Sequence, residues 1–540
     1  MMFKLRAPWA VLWLCLYFLC VFNVGYWREV LQDKPLNLDN FIFLLVMFVA
    51  FWAAMFVIIN LFLIPYLHKL FIPLIFVAGS AAAYATMSMG AYFNVDMLHN
   101  VLQTHAGEAK ALLSWQYLLW VGVTGVLPAL LYVKFFRLRY CEKWYREVML
   151  RSGSLILGLL VFGGLAYGFY NDFAPFFRNN KPIVHKLNPT NFLGSGIKMA
   201  SVALKSKPVF TPIGMDAQQL PTADGKRKPR VLVLVIGETT RAQNWGLNGY
   251  ARQTTPELAQ RADVINFKDV SACGTSTAIS VPCMFSGMRR DGFNEEEAYY
   301  RSNVMDILQQ AGIGTWWREN DGGCKGVCAR IENEDIRQQV NPQWCTFEGC
   351  FDMGLLENLP QRLAEIKQDT VIVLHTMGSH GPTYYQRYPT EYRRFTPTCD
   401  TNQIQDCSRE ELVNTYDNGI AYIDHMLSST IDLLQQNQNI DAAMWYLSDH
   451  GESLGERGLY LHAAPYAIAP PEQTQVPMVF WASDHFARSA QLNTGCLKAK
   501  AENERFSHDN LFASLLGLFD VQTTVYRPEA DVFKSCRIRG

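Results

Sequence analysis

The sequence predicts a five-helix transmembrane domain followed by a soluble α/β domain. Three observations predict it. The first 170 residues hold five long apolar spans without a single Asp, Glu, Lys or Arg. Ten of the 13 cysteines lie after residue 270. Three continuous apolar runs in the second half each end in an ionisable residue. The whole-chain values, a net charge of -1 and a mean hydropathy of +0.00, average two unlike halves and would misfile the chain as an ordinary soluble protein.

The spans run over about 8–26, 41–66, 70–93, 117–133 and 154–170. Each is long enough to cross a hydrocarbon core of ~30 Å at ~1.5 Å per residue. Buried helices of a large globular core would not all exclude charge. Lys4, Arg6, Lys69, Lys134, Arg137, Arg139, Lys143, Arg146 and Arg151 lie at or between spans on one side, whereas the opposite connections hold only Arg28, Lys34 and Lys110. Basic connections stay in the cytoplasm, so five crossings place everything after about residue 171 outside. No small-residue cleavage site follows the first span, which reads as an anchor and not as a removed signal peptide.

The cysteines agree. Those after residue 270 fall in neighbouring pairs, Cys273 with Cys283, Cys324 with Cys328, Cys345 with Cys350 and Cys399 with Cys407, leaving Cys496 with Cys536. An even number outside a membrane fits disulfides in an oxidising compartment. Spacing does not fix their connectivity, and neighbour pairing is only the economical arrangement. A zinc ribbon on Cys324, Cys328, Cys345 and Cys350 is the alternative.

Residues 171–229 read as a connector at the outer membrane face, interrupted by Pro182, Pro189, Pro208, Pro212 and Pro221. Its closing Lys-Arg-Lys-Pro-Arg run (226–230) reads as a solvated linker end. The outer half has no wider basic excess, so nucleic acid is not an expected partner. From residue 230 to residue 540 the pattern is that of one α/β domain. The runs 231–238, 370–375 and 442–450 fit parallel strands buried on both faces, with helices between them such as Ser302–Gln310 and Asn414–Asn437. In such folds functional groups collect beyond the carboxyl ends of the strands, where Glu238, His375, Asp449 and His450 fall.

The loop 273–283 places four hydroxyls, Thr275, Ser276, Thr277 and Ser280, between two cysteines. A hydroxyl needs a base or a metal to become a nucleophile. Glu238, Asp449 and His450 form a carboxylate–carboxylate–imidazole set that zinc accepts readily, with Gly237 and Gly451 allowing close backbone approach. His380, in Gly-Ser-His-Gly-Pro, and His462, in Tyr-Leu-His-Ala, sit in shaped loops. Either could hold a second metal, a phosphoryl oxygen or a leaving-group proton. Lys325 is a natural phosphate cation on a tight turn. Met97–Trp115 reads as a surface helix with Asn100, Thr104 and Glu108 on one face.

Taken in order, these motifs resemble one family over nearly the whole chain. The strings are Gly-Glu-Thr (237–239), Cys-Gly-Thr-Ser-Thr-Ala (273–278), Cys-Lys-Gly-Val-Cys (324–328), Gly-Ser-His-Gly-Pro-Thr-Tyr-Tyr (378–385) and Leu-Ser-Asp-His-Gly-Glu-Ser-Leu-Gly-Glu (447–456). They resemble the lipid A phosphoethanolamine transferases, the group that includes mobile colistin-resistance enzymes. The resemblance implies an α/β/α sandwich of the alkaline phosphatase and sulfatase kind, although the Cys/Ser-x-Pro-x-Arg signature of sulfatases is missing.

The resemblance also implies roles. Thr277 becomes the nucleophile, and Glu238, Thr277, Asp449 and His450 become ligands of one tight zinc, with room for a second ion in turnover. His380, His462, Lys325 and Asp321 become contacts to phosphoethanolamine, with Asn100, Thr104 and Glu108 reaching it from the membrane side. Either His380 or His462 becomes the acid for the leaving diacylglycerol. Phosphatidylethanolamine is the implied donor and lipid A the acceptor, and the added ammonium would weaken attraction of polymyxins. A monomer in the bacterial inner membrane with a periplasmic catalytic domain is implied. One departure is Gly322, where some members carry a serine. A phosphoglycerol transferase of the lipoteichoic acid synthase kind shares this layout, and a non-catalytic zinc-binding receptor is the reading from another class.

Overall fold

The structure is a computed structural model that describes residues 3–89, 93, 98, 114–204, 209–221, 227–339, 341–346, 349–401, 404, 407–456 and 459–538. The chain divides into two compact units, Met1–Lys207 and Pro208–Gly540.

In the first unit the apolar spans become α1 (Ala7–Val21), α2 (Val24–Asp33), α3 (Leu38–Phe62), α4 (His68–Met89), α5 (Trp115–Phe135) and α6 (Trp144–Gly168). Four of these, α3 to α6, are long and apolar enough to cross a membrane. The first expected span is not one straight helix. It breaks between α1 and α2, which meet at 62° and make a fifth crossing only if taken together.

Asn23 occupies that break and is fully buried. Its amide donates to Phe18 O (2.9 Å) and Asn188 O (2.7 Å), and its Oδ1 accepts the Asn188 N–H at 2.7 Å. These bonds supply partners where the helical ladder is interrupted, as an apolar surrounding demands. The last span starts at Trp144, well before the expected residue 154, because its early charges are matched within the unit. Arg151 pairs with Glu147 at 2.8 Å and donates to Leu63 O, an orphan carbonyl at the end of α3. Only 6% of the apolar window of α6 is buried within the protein, so its surface suits lipid. The stretch expected as a connector holds two further helices of this unit, α7 (Tyr170–Asn179) and α8 (Thr190–Leu204); the remainder opens the second unit.

The second unit is built on a seven-stranded sheet. Its strands are β1 (Arg230–Gly237), β2 (Ile265–Phe267), β3 (Gly314–Glu319), β4 (Glu332–Asp335), β5 (Thr370–His375), β6 (Asp441–Ser448) and β7 (Met478–Ala482), in the order β2-β7-β6-β1-β5-β3-β4. The five strands from β6 to β4 are parallel; β7 and β2 join antiparallel at one edge.

Alternate residues explain why β1 is apolar throughout. Leu232, Leu234 and Ile236 enter one core with Trp445 and Phe480, whereas Val231, Val233 and Val235 enter another with Leu374 and Tyr446. Helices cover both faces: Val304, Ile307 and Leu308 of α10 (Val304–Gln310) join the first core, and Tyr416, Ile420 and Leu427 of α11 (Arg409–Gln436) join the second. This is the α/β/α arrangement expected. Between β2 and α10 lies α9 (Thr277–Ser286). Helix α11 begins earlier than the expected Asn414 because Ser408 and Glu411 form a capping box ahead of the apolar stripe.

Candidate active site at the carboxyl edge of the sheet

Strand register assembles the site. Ser448 lies opposite Gly237, Ile236 opposite His375, and His375 opposite Glu319. The next residues of β6 and β1, Asp449 and Glu238, therefore emerge side by side. A slip of one residue would move a ligand by ~3.3 Å and separate the pair.

Glu238, Asp449 and His450 are fully buried. Asp449 Oδ1 accepts the N–H groups of Thr239 (3.2 Å) and His450 (2.7 Å). Asp449 Oδ2 and Glu238 Oε1 have no hydrogen-bond partner. Burial, then Asp449 and Asp321, push the Glu238 carboxyl well above its usual range. The His450 ring places Nδ1 at 2.9 Å from Gly451 O, which can only accept, so Nδ1 donates there and Nε2 is the nitrogen turned into the site. That nitrogen faces Asp449 Oδ2 (3.3 Å), Glu238 Oε1 (3.5 Å) and Thr277 Oγ1 (3.5 Å). Two hard carboxylate oxygens, one imidazole and a hydroxyl are a donor set that zinc fits.

Thr277 is the first residue of α9, so the positive end of the helix dipole lies at its side chain. Its Oγ1 donates to Glu238 Oε2 at 2.9 Å. The loop carrying it is closed by the Cys273–Cys283 disulfide. Two of the other three hydroxyls of the loop are used differently. Thr275 donates to Ala464 O at 2.6 Å and Ser280 accepts the Gly274 N–H at 2.9 Å, while Ser276 occupies the N-cap position of α9 without a side-chain cap bond.

The expected histidines stand nearby. The His450 and His462 rings are 4.4 Å apart between centroids, and those of His462 and His380 are 5.6 Å apart. His462 Nδ1 lies 3.2 Å from the buried Glu452, and Glu238, His450 and His462 present ligand atoms within 4.8 Å of one another. Burial, reinforced by His462, holds His380 neutral far below its usual pKa. Lys325 extends toward Asp321, with 3.6 Å between Nζ and Oδ2, on a turn closed by Cys324–Cys328. A side chain at Gly322 would meet the Lys325 ammonium at 3.2 Å. Asn100, Thr104 and Glu108, and nearly all of the surface helix expected around them, lie outside the described residues. The remaining disulfides are Cys345–Cys350, Cys399–Cys407 and Cys496–Cys536, which leaves no thiolates for a zinc ribbon at Cys324, Cys328, Cys345 and Cys350.

Sequence reasoning missed the residues that position this set. Asp352 accepts the N–H groups of Met377 (2.7 Å) and Gly378 (2.9 Å) and so fixes the loop leading to His380. Gly378 has φ +52 and packs against Glu238, whose carbonyl oxygen a Cβ would meet at 2.3 Å. His508 takes the Cys273 N–H on Nδ1 (3.0 Å) and donates from Nε2 to Ser448 O (2.9 Å), tying the Thr277 loop to the strand that delivers Asp449. Asp352 and His508 carry no local motif; Gly378 opens the Gly-Ser-His-Gly-Pro string, whose glycine is required by the close approach to Glu238.

A metal-ready hydroxyl site at the carboxyl edge of such a sheet, on a chain with membrane-length helices, defines a membrane-bound transferase of the alkaline phosphatase and sulfatase fold. Residues 230–521 match the family described as Sulfatase, and residues 51–204 match the family described as phosphoethanolamine transferase EptA/EptB. Phosphoethanolamine transferase EptA of Escherichia coli K12 is 40% identical over 530 residues, covering 97% of this chain and 96% of that protein. The phosphatidylethanolamine transferase Mcr-1 of Escherichia coli is 37% identical, over 92% of each. The solved integral membrane lipooligosaccharide phosphoethanolamine transferase A of Neisseria meningitidis is 43% identical with a TM-score of 0.68, covering 99% of this chain and all of that one. The chain belongs to this family of phosphoethanolamine transferases.

Proposed function

We propose that the chain moves phosphoethanolamine from phosphatidylethanolamine to a phosphate of lipid A, by way of a phosphoethanolamine ester on Thr277. The observation that carries this reading is the Thr277 hydroxyl, buried at a helix N-terminus and bonded to Glu238 Oε2 at 2.9 Å. The apolar helices keep the enzyme on the bilayer that carries the donor, in the inner membrane with the second unit in the periplasm.

In the first step Thr277 Oγ1 attacks phosphorus and gives its proton along the bond to Glu238. The phosphorus–oxygen bond to diacylglycerol breaks, and the leaving oxygen takes a proton. His462, whose Nδ1 lies 3.2 Å from Glu452, is the better placed donor of that proton, since His380 is held neutral. Lys325 offsets charge on the phosphoryl oxygens. In the second step a lipid A phosphate oxygen attacks the same phosphorus, and Thr277 leaves with its proton restored. Zinc held by Glu238, Thr277, Asp449 and His450 would supply positive charge that lowers the hydroxyl pKa and neutralises the phosphoryl group. Adding an ammonium to lipid A reduces its negative charge and with it the attraction of polymyxins.

Mass spectrometry of the peptide bearing Thr277, after incubation with phosphatidylethanolamine alone, tests the first step. A phosphoethanolamine increment is expected, and a phosphoglycerol increment would sink the donor assignment. Lipid A from cells with and without the chain tests the second step, where an absent increment rules out this acceptor.

A further inference from the structure

A second buried cluster of metal-ligating side chains shares Glu238 with the first, and the mechanism above does not use its His375. His375 ends β5 and is fully buried. Its Nδ1 sits 2.9 Å from Glu319 Oε2, which also accepts the Trp317 indole N–H at 2.9 Å. Glu319 Oε1 accepts the Asp321 N–H at 2.7 Å. Both Glu319 oxygens thus act as acceptors, so Nδ1 of His375 carries the proton between them. The other ring nitrogen, Nε2, has no hydrogen-bond partner. His375 clusters with Glu238 and Asp321, and one ligand atom from each of the three residues lies within 4.8 Å of the others. All three side chains are buried.

A buried ring nitrogen and a Glu238 oxygen without hydrogen-bond partners, converging with a third buried carboxylate, suit bonds of about 2.1 Å to a common ion. The Glu319–His375 contact has the form of the carboxylate that fixes a ligating histidine in its tautomer.

We infer that Glu238, Asp321 and His375 bind a second divalent cation, with Glu238 shared between the two ions. The ligand set of two carboxylates and one imidazole suits zinc or manganese. This ion is distinct from any held by His380 and His462, which contribute nothing to the group. A shared carboxylate places the ions close together, the arrangement that clamps both oxygens of an in-line phosphoryl displacement. The inference rests on the first ion being held at Glu238, Asp449 and His450.

The test is metal counting on the full-length protein in detergent, stripped with a chelator and dialysed against buffered zinc or, separately, manganese. Two equivalents are expected for the wild type. Asp321→Asn and His375→Gln should each lose one and keep the other, and Glu319→Gln should weaken the second by about 10–100-fold. Using two independent ligand variants, each checked for cooperative unfolding, covers the case in which one fails to fold. One equivalent in the wild type overturns the inference, as does a second equivalent that survives both ligand variants or is lost on His462→Gln instead. His450→Gln separates the two readings: it should lose the first ion alone, and no loss there overturns the first-site assignment.

Discussion

His450 donates from Nδ1 to Gly451 O and turns Nε2 toward Asp449 Oδ2 at 3.3 Å, with Glu238 Oε1 at 3.5 Å from the same nitrogen. Asp449 and Glu238 are two fully buried carboxyl groups at one point, and their charges repel unless a cation lies between them. The consequence is a change of sign on metal removal. In the stripped protein Asp449→Asn should raise stability, by on the order of 1–3 kcal/mol, because it deletes one of two neighbouring buried carboxylates. In the zinc-loaded protein the same substitution should lower stability, since a ligand is lost. Thermal unfolding of both forms with and without zinc reads the crossover; a substitution that destabilises both forms would show that the carboxylates do not face a cation.

Thr277 is singled out from its neighbours by position. Thr275 and Ser280 bond within or beside the loop, whereas Thr277 donates to a site carboxylate. Thr277→Ala should reduce transfer by at least about 10⁴-fold, in line with removal of other catalytic nucleophiles. Its melting temperature should stay within a few degrees of wild type, because one hydrogen bond is lost and no large cavity opens. Thr277→Ser should retain measurable transfer. Turnover of phosphatidylethanolamine to diacylglycerol gives the readout, and near-normal turnover by Thr277→Ala would exclude it as the nucleophile.

What was legible in the sequence was chemistry placed at the ends of periodic elements. The apolar run of β1 announced Glu238 because a strand buried on both faces must end before a carboxylate, and β6 announced Asp449 and His450 the same way. Thr277 was not separable from three other hydroxyls by spacing. Its bond to Glu238 depends on how α9 packs across a gap of 39 positions in sequence. The bend at Asn23 was hidden because one amide scarcely alters a hydropathy window, and its partner Asn188 lies 165 residues away. His508 was invisible for the same reason: its two partners lie 235 and 60 residues distant.

His508 gives the protein a pH limit of its own. Burial, against a smaller opposing pull from Asp449, lowers its pKa from 6.5 to about 4. The unfolded chain therefore binds a proton between those values while the folded chain does not. Stability is fully present above about pH 6.5 and is lost as pH falls toward 4, by roughly 3 kcal/mol for a shift of this size. His508→Gln can keep one bond without a titrating ring and should flatten this slope. Thermal unfolding of wild type and variant across pH 4–7.5 measures it, and parallel curves would assign the acid sensitivity to other groups.

Asn23 makes the opposite kind of prediction, in which a more apolar residue weakens an apolar unit. Its amide and carbonyl join Phe18 O, Asn188 O and Asn188 N at the break between α1 and α2. Asn23→Leu would raise the hydropathy of the segment and strengthen any reading of it as one straight span. It would also strand the Asn188 N–H and carbonyl in a setting without water to replace the lost partner. Interhelical polar contacts in membranes contribute modestly, so the expected loss is about 1–2 kcal/mol. Unfolding in detergent should show a lower transition for Asn23→Leu than for wild type. Asn23→Gln, which keeps both functional groups on a longer arm, should fall between them. A transition for Asn23→Leu at or above the wild-type temperature would mean that the bend is imposed by packing and that the amide merely occupies it.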